Sequence, residues 1–259
     1  GSDSHYLRYT QLGAVVMVDR AVSSDFSGIN LSGLDGTDGF RLDGMAQGDR
    51  SGFSVSNAGD VNGDGFDDVI VGALNADPNG FFSGASYGVF GKTSGFDATL
   101  NVSALDGSNG FRLNGVTERD YAGHSVSNAG DVNDDGFDDV IVGGFGADPN
   151  GDLSGSSYVV FGRASGFDAA LDLSELDGQS GFRLDGEGAQ DLSGSSVSNA
   201  GDVNGDGFDD VLVSARRLIL NDDDPNVIDA MFGSTYVVFG QASGFDAAMN
   251  LSGLNGSNG

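Results

Sequence analysis

The sequence predicts an all-β fold assembled from a repeated four-stranded unit, and three features carry that prediction. The stretch Ser54–Asn62, SVSNAGDVN, returns letter for letter at Ser125–Asn133 and Ser196–Asn204, with a fixed spacing of 71 residues. Apolar residues, 38% of the 259, come in short runs without helical spacing. Glycine, at 45 positions, separates those runs together with Asp, Asn and Ser, as in a chain of strands and turns.

Residues 1–13 fit no repeat. Residues 14–39 form a partial unit, in which AVVMV at Ala14–Val18 resembles SYVVF at Ser157–Phe161. Full units are expected at 40–110, 111–181 and 182–259. Within the first, Phe40-Arg41-Leu42 reads as a strand and Gly44–Gly52 as a loop, followed by a strand around Phe53–Ser56. The acidic stretch Asp60–Asp68 is a second loop, and Val69–Ala73, rich in β-branched residues, is the next strand. Asp77-Pro78-Asn79-Gly80 has the residues of a chain reversal, Ser86–Phe90 is a further strand, and GFDATLNVSALDG links it to the next Phe. Four antiparallel strands per unit is the count of a β-propeller blade.

The third unit is expected to carry a loop insertion near 214–233, because its acidic loop and following Tyr lie 26 residues apart instead of 19. With that insertion, its closing strand falls beyond Gly259. At about 3.6 units of 71 residues, the chain reads as a piece of a longer array, since rings close with about 4 to 8 blades. Its remaining blades are expected from a parent chain, with closure by a homodimer the lesser alternative.

A formal charge of −28 excludes nucleic acid and anionic membrane as natural partners and favours divalent cations. Cysteine is absent, so neither disulfides nor thiolate ligands hold this fold. No apolar run is long enough for a membrane span.

Each SVSNAGDVN copy leads into D-x-N-x-D-G-F-D-D. In the first, Asp60, Asn62 and Asp64 present side-chain oxygens at alternate positions, Phe66 offers a backbone carbonyl and Asp68 closes the far side. A hard cation such as Ca²⁺ takes about 6 to 8 oxygens at roughly 2.3–2.6 Å, and this spacing can supply them from one loop. The other sets are Asp131, Asn133, Asp135, Phe137, Asp139 and Asp202, Asn204, Asp206, Phe208, Asp210, making three Ca²⁺ sites. An EF-hand is excluded: its bidentate Glu at the twelfth position is here Val71, Val142 and Val213.

A strand, D-x-N-x-D-G-x-x-D and an apolar strand in units of this size resemble the FG-GAP repeat of integrin α-chain propellers and their bacterial relatives. The resemblance covers about residue 14 to the end. It implies a seven-bladed ring, one Ca²⁺ per loop on the fifteen residues above, and an extracellular or cell-surface module for adhesion or protein interaction. The Phe-Gly of the family name is Ser51-Gly52, Ala122-Gly123 and Ser193-Gly194 here, and its Gly-Ala-Pro is Gly72-Ala73-Leu74, Gly143-Gly144-Phe145 and Ser214-Ala215-Arg216. These departures suggest a bacterial surface or secreted array. Ligands of such propellers, protein or glycan, bind the face opposite the metal loops. On that face the insertion residues Arg216, Arg217, Asp222, Asp223 and Asp224, together with Arg119, are contact candidates. A lectin, or the propeller of a polysaccharide lyase, is the alternative reading. No catalytic constellation is found, and His124, replacing Phe53 and Ser195 of the other copies, reads as a tolerated position.

Overall fold

The computed structural model of the chain describes residues 14–18, 30–220, 228–242 and 244–259. They form β strands joined by turns, with four single-turn 3₁₀ segments. A partial blade is made by β1 (Ala14–Val18) and β2 (Gly39–Asp43), the first strand of the unit expected at 40–110, paired antiparallel. The first complete blade contains β3 (Ser54–Gly59), β4 (Asp68–Ala73), β5 (Ala85–Val89), the short β6 (Thr99–Asn101) and β7 (Gly110–Asn114). Its successor repeats them as β8 (Ser125–Gly130), β9 (Asp139–Gly144), β10 (Ser156–Val160), β11 (Ala170–Asp172) and β12 (Gly181–Asp185). The third has β13 (Ser196–Gly201), β14 (Asp210–Leu220), β15 (Ile228–Val238) and β16 (Ala248–Asn250).

Four antiparallel strands, β3-β4-β5-β7 and β8-β9-β10-β12, make each full blade. The fold is all-β, a partial β-propeller. The linker expected between the third and fourth strands holds a strand of its own. It leaves its blade and pairs parallel with the last strand of the blade before: β6 on β2, β11 on β7 and β16 on β12. Its Phe goes with it. Phe96 stacks on Phe40, Phe167 on Phe111 and Phe245 on Phe182, at 4.0–4.3 Å between ring centroids. Three residues of strand are too few to show a period, so this stitch between blades escapes the pattern-based reading.

The insertion differs from the expected loop. Residues 214–220 and 228–233 continue the ladder, so β14 and β15 form a hairpin of two 11-residue strands in place of the five- or six-residue strands of the other blades. Alternating Leu and Ile after the two Arg suits strand better than loop. No fourth strand pairs with β15 among the described residues.

The apolar core lies between blades, not within them. Ala58, Ile70, Phe90 and Leu113 of the first blade join Val126, Val140, Val142 and Tyr158 of the second in one cluster. Ile141, Val159 and Leu184 of the second join Val197, Val211 and Val213 of the third in another. This is why β4 and β9 are apolar without alternation: both faces of each strand meet a neighbour. It also explains a glycine. A Cβ on Gly72 would sit 2.0 Å from the Gly123 carbonyl oxygen, and one on Gly143 would sit 2.1 Å from that of Gly194.

Candidate functional site: the acidic loops and the opposite face

Each acidic loop begins at a bulge. The β3–β4 register shifts between Asn57 and Gly59, where Gly59 takes φ 71° and the Asn57 side chain accepts its N–H. The same shift recurs at Asn128/Gly130 and Asn199/Gly201. A glycine bulge bends the strand and re-aims the chain, here throwing the loop off the end of the blade.

The loop then winds around its own carboxylates. Asp60 Oδ1 accepts from the N–H of Gly63 (2.8 Å) and Asp64 (3.0 Å), and Oδ2 accepts from Gly65 (2.8 Å). Asn62 Oδ1 accepts from Asp64 N–H and Asp64 Oδ1 from Phe66 N–H. At the far side Asp68 is buried and accepts from Val61 N–H at 3.0 Å and Gly91 N–H at 2.8 Å. Asp139 repeats this with Val132 and Gly162, and Asp210 with Val203 and Gly240. The ninth position therefore ties the loop to the start of β4 and to the chain leaving β5.

Burial pushes the Asp68 carboxyl up to about 7 and that of Asp139 up to about 8, against the backbone N–H groups that lower them. Asp64 and Asp60 push Asp68 the same way, as Asp135 and Asp131 push Asp139. The first and fifth loop carboxylates thus lie near enough to add to the rise at the ninth. Among the described residues, no three acidic or imidazole groups already stand as a finished metal-binding set. In each loop the side chains are closed on backbone N–H groups instead. The donor chemistry still fits a hard cation: every group is oxygen, and a carboxylate oxygen that accepts one hydrogen bond keeps a second lone pair.

Sequence reasoning missed the eighth loop position. Asp138 Oδ2 accepts the N–H of Asp60 in the preceding blade at 2.8 Å, and Asp209 Oδ2 accepts that of Asp131 at 3.0 Å. Only the 71-residue repeat could have flagged these residues, since an Asp next to a ligand Asp carries no spacing signal of its own.

On the opposite face, the loop before β8 lies against the β4–β5 turn, with Arg119 N–H on Phe81 O and Tyr121 N–H on Phe82 O. Here the structure gathers an aromatic run: Phe81 stacks on Phe82, Phe82 meets Tyr121, Tyr121 stacks on Phe145, and His124 lies between Phe145 and Phe53. His124 is thus part of this surface. Burial first, and then the charge of Arg216, holds its imidazole below the usual histidine range. Arg216 thus lies near His124, while Arg217 reaches Asp191 at 3.5 Å. Arg119 is exposed beside Glu118. Asp222, Asp223 and Asp224 lie outside the described residues.

The comparisons with known proteins agree with this geometry. The family model described as FG-GAP repeat matches residues 51–89 and 193–224, spans that contain the first and third acidic loops. The chain is 30% identical over 158 residues to Integrin alpha-4 of Xenopus laevis, covering 61% of this chain and 14% of that protein. To Integrin alpha-PS5 of Drosophila melanogaster it is 32% identical over 169 residues, 65% of this chain and 15% of that one. To Integrin alpha-V of Gallus gallus it is 28% identical over 197 residues, 74% and 17% respectively. The chain therefore spans about a sixth of the length of these curated relatives. All three are from animals, so the bacterial source expected from the altered motifs finds no support among them. Residues 51–89 and 193–224 thus match the FG-GAP repeat, and the chain, similar to integrin α chains over most of its length, folds as part of a β-propeller.

Proposed function

We propose that this chain is a calcium-stabilised propeller module of an extracellular or cell-surface adhesion protein, a scaffold for protein contact with no chemistry of its own. The observation that supports it best is the acidic loop. Three copies present the same oxygen donors, and in two of them a buried ninth-position carboxyl is driven above its ordinary range by burial and by its own neighbours. Asp60, Asn62, Asp64, the Phe66 carbonyl and Asp68 would hold the ion in the first loop, and the corresponding residues would do so at Asp131–Asp139 and Asp202–Asp210. Bound there, Ca²⁺ would supply positive charge that offsets the repulsion among the three carboxylates. The chain's own part is to present these oxygens on a loop whose two ends are pinned by Asp68.

Thermal melting in EDTA and in millimolar Ca²⁺ tests the reading. Extracellular modules bind Ca²⁺ with dissociation constants of about 10⁻⁴ to 10⁻³ M. Each site then adds about 1.4 kcal/mol when free Ca²⁺ is ten times its dissociation constant. The midpoint is expected to rise with Ca²⁺, and an unchanged midpoint overturns the metal assignment.

A further inference from the structure

The backbone of the first two residues of the first and second acidic loops is held largely from the next blade. Asp60 N–H goes to Asp138 Oδ2, Asp138 N–H returns to Asp60 O at 3.3 Å, and Val61 O accepts Arg163 N–H at 2.8 Å. The next interface repeats the set: Asp131 N–H to Asp209 Oδ2, Asp209 N–H to Asp131 O at 3.2 Å, and Val132 O to Gln241 N–H at 2.9 Å. The fit is close. A Cβ on Gly59 would lie 2.2 Å from Asp138 Oδ2, one on Gly130 would lie 2.0 Å from Asp209 Oδ2, and one on Gly63 would meet the Phe137 ring. Gly201 and Gly205, at the matching places in the third loop, have nothing within 4 Å of such a Cβ.

Asp138 sits between Phe137 and Asp139, two of the ligands assigned to its own loop. Whatever orders those two residues orders the carboxylate between them, and that carboxylate fixes the peptide entering Asp60, the first ligand of the loop before. Groups that orient a ligand without touching the metal commonly matter to affinity by about 10- to 100-fold. We propose that Asp138 and Asp209 are positioning residues that couple cation occupancy of successive loops, each holding the first ligand of the preceding loop. The inference rests on the calcium reading above. Coupling of this kind is reciprocal, so the second loop's cation favours the first loop's, and the reverse.

Amide NMR during a Ca²⁺ titration of the whole chain reads the loops separately through Gly65, Gly136 and Gly207. Asp138→Ala is expected to raise the Gly65 midpoint about tenfold, and Asp209→Ala to do the same at Gly136. Asp138→Asn keeps an oxygen acceptor for Asp60 N–H and is expected to stay within about threefold of the unsubstituted chain. Without metal, the Asp60 amide is expected to exchange its hydrogen faster in Asp138→Ala. Should that variant fail to fold, Asp135→Ala serves instead, because disabling the second loop's cation is expected to raise the Gly65 midpoint through the same contact. An unchanged Gly65 midpoint in either variant, with the unsubstituted loops still titrating, overturns the coupling and leaves the calcium reading standing. No titration of any of the three glycines up to roughly 10 mM Ca²⁺ in the unsubstituted chain overturns both.

Discussion

The first and third acidic loops share the letters SVSNAGDVNGDGFDD, yet they live in different surroundings. Val61 is 2% exposed and Val203 is 55% exposed, because the next blade covers the first loop and no described residues cover the third. Gly72 and Gly143 leave no room for a side chain, whereas the same place in the third blade holds Ser214. Local sequence sets the shape of the loop, and the neighbouring blade sets what the loop is worth. In a repeat array much of the stability sits in the interfaces between units.

Substitution at the motif glycine should break this comparison most severely. Gly143→Ser places a side chain against the Gly194 carbonyl, a backbone atom that cannot swing away, and is expected to cost at least about 3 kcal/mol. Ser214→Gly, its mirror in the third blade, is expected to cost about 1 kcal/mol or less, from strand glycine entropy alone. Chemical denaturation of the two variants reads the difference, and equal losses would mean that the interface does not set the cost.

A smaller contrast is expected at the bulge. Gly130 and Gly201 have nearly the same φ, 74° and 66°, so both pay about 1 kcal/mol of left-handed strain on becoming Ala. Only Gly130→Ala also displaces the Asp209 carboxylate, for a total of about 2–3 kcal/mol. If the two variants melt together, Asp209 is not holding the second loop in solution.

The smallest effect concerns pH, on the face away from the loops. Burial raises the Asp120 carboxyl above its ordinary value, Asp148 adds to this, and hydrogen bonds from Thr117 and the charge of Arg183 oppose it. Because the folded state favours the protonated acid, this group's contribution is full below its ordinary value of 3.8 and is lost as pH rises through the raised one. Stability of Asp120→Asn is expected to fall less than that of the unsubstituted chain as pH rises from 4. A parallel pH profile would show that the carboxyl is not buried as described.

The four antiparallel strands of a blade and the length of the unit were legible in the letters, because turn residues and β-branched runs act over a few residues. The insertion was legible as an extra seven residues but not as a hairpin, since a ladder needs both of its strands and the sequence shows them one at a time. The linker strands β6, β11 and β16 were hidden for the same reason, each pairing with a blade other than its own. His124, read as a tolerated position, and the aromatic residues around it carry no common spacing; they meet because the loop before β8 packs against the chain entering β3 and the chain leaving β9.

By itself, then, the sequence determined the repeat, the all-β class and the position of three acidic loops, all of them properties of short segments. Only the tertiary structure decided that the core lies between blades, that Asp138 and Asp209 grip the loop before their own, and that identical loops are unequal. Each of those depends on contacts far apart in the chain, 78 residues for the Asp138 and Asp209 bonds, and such contacts are made by packing, which no local pattern records.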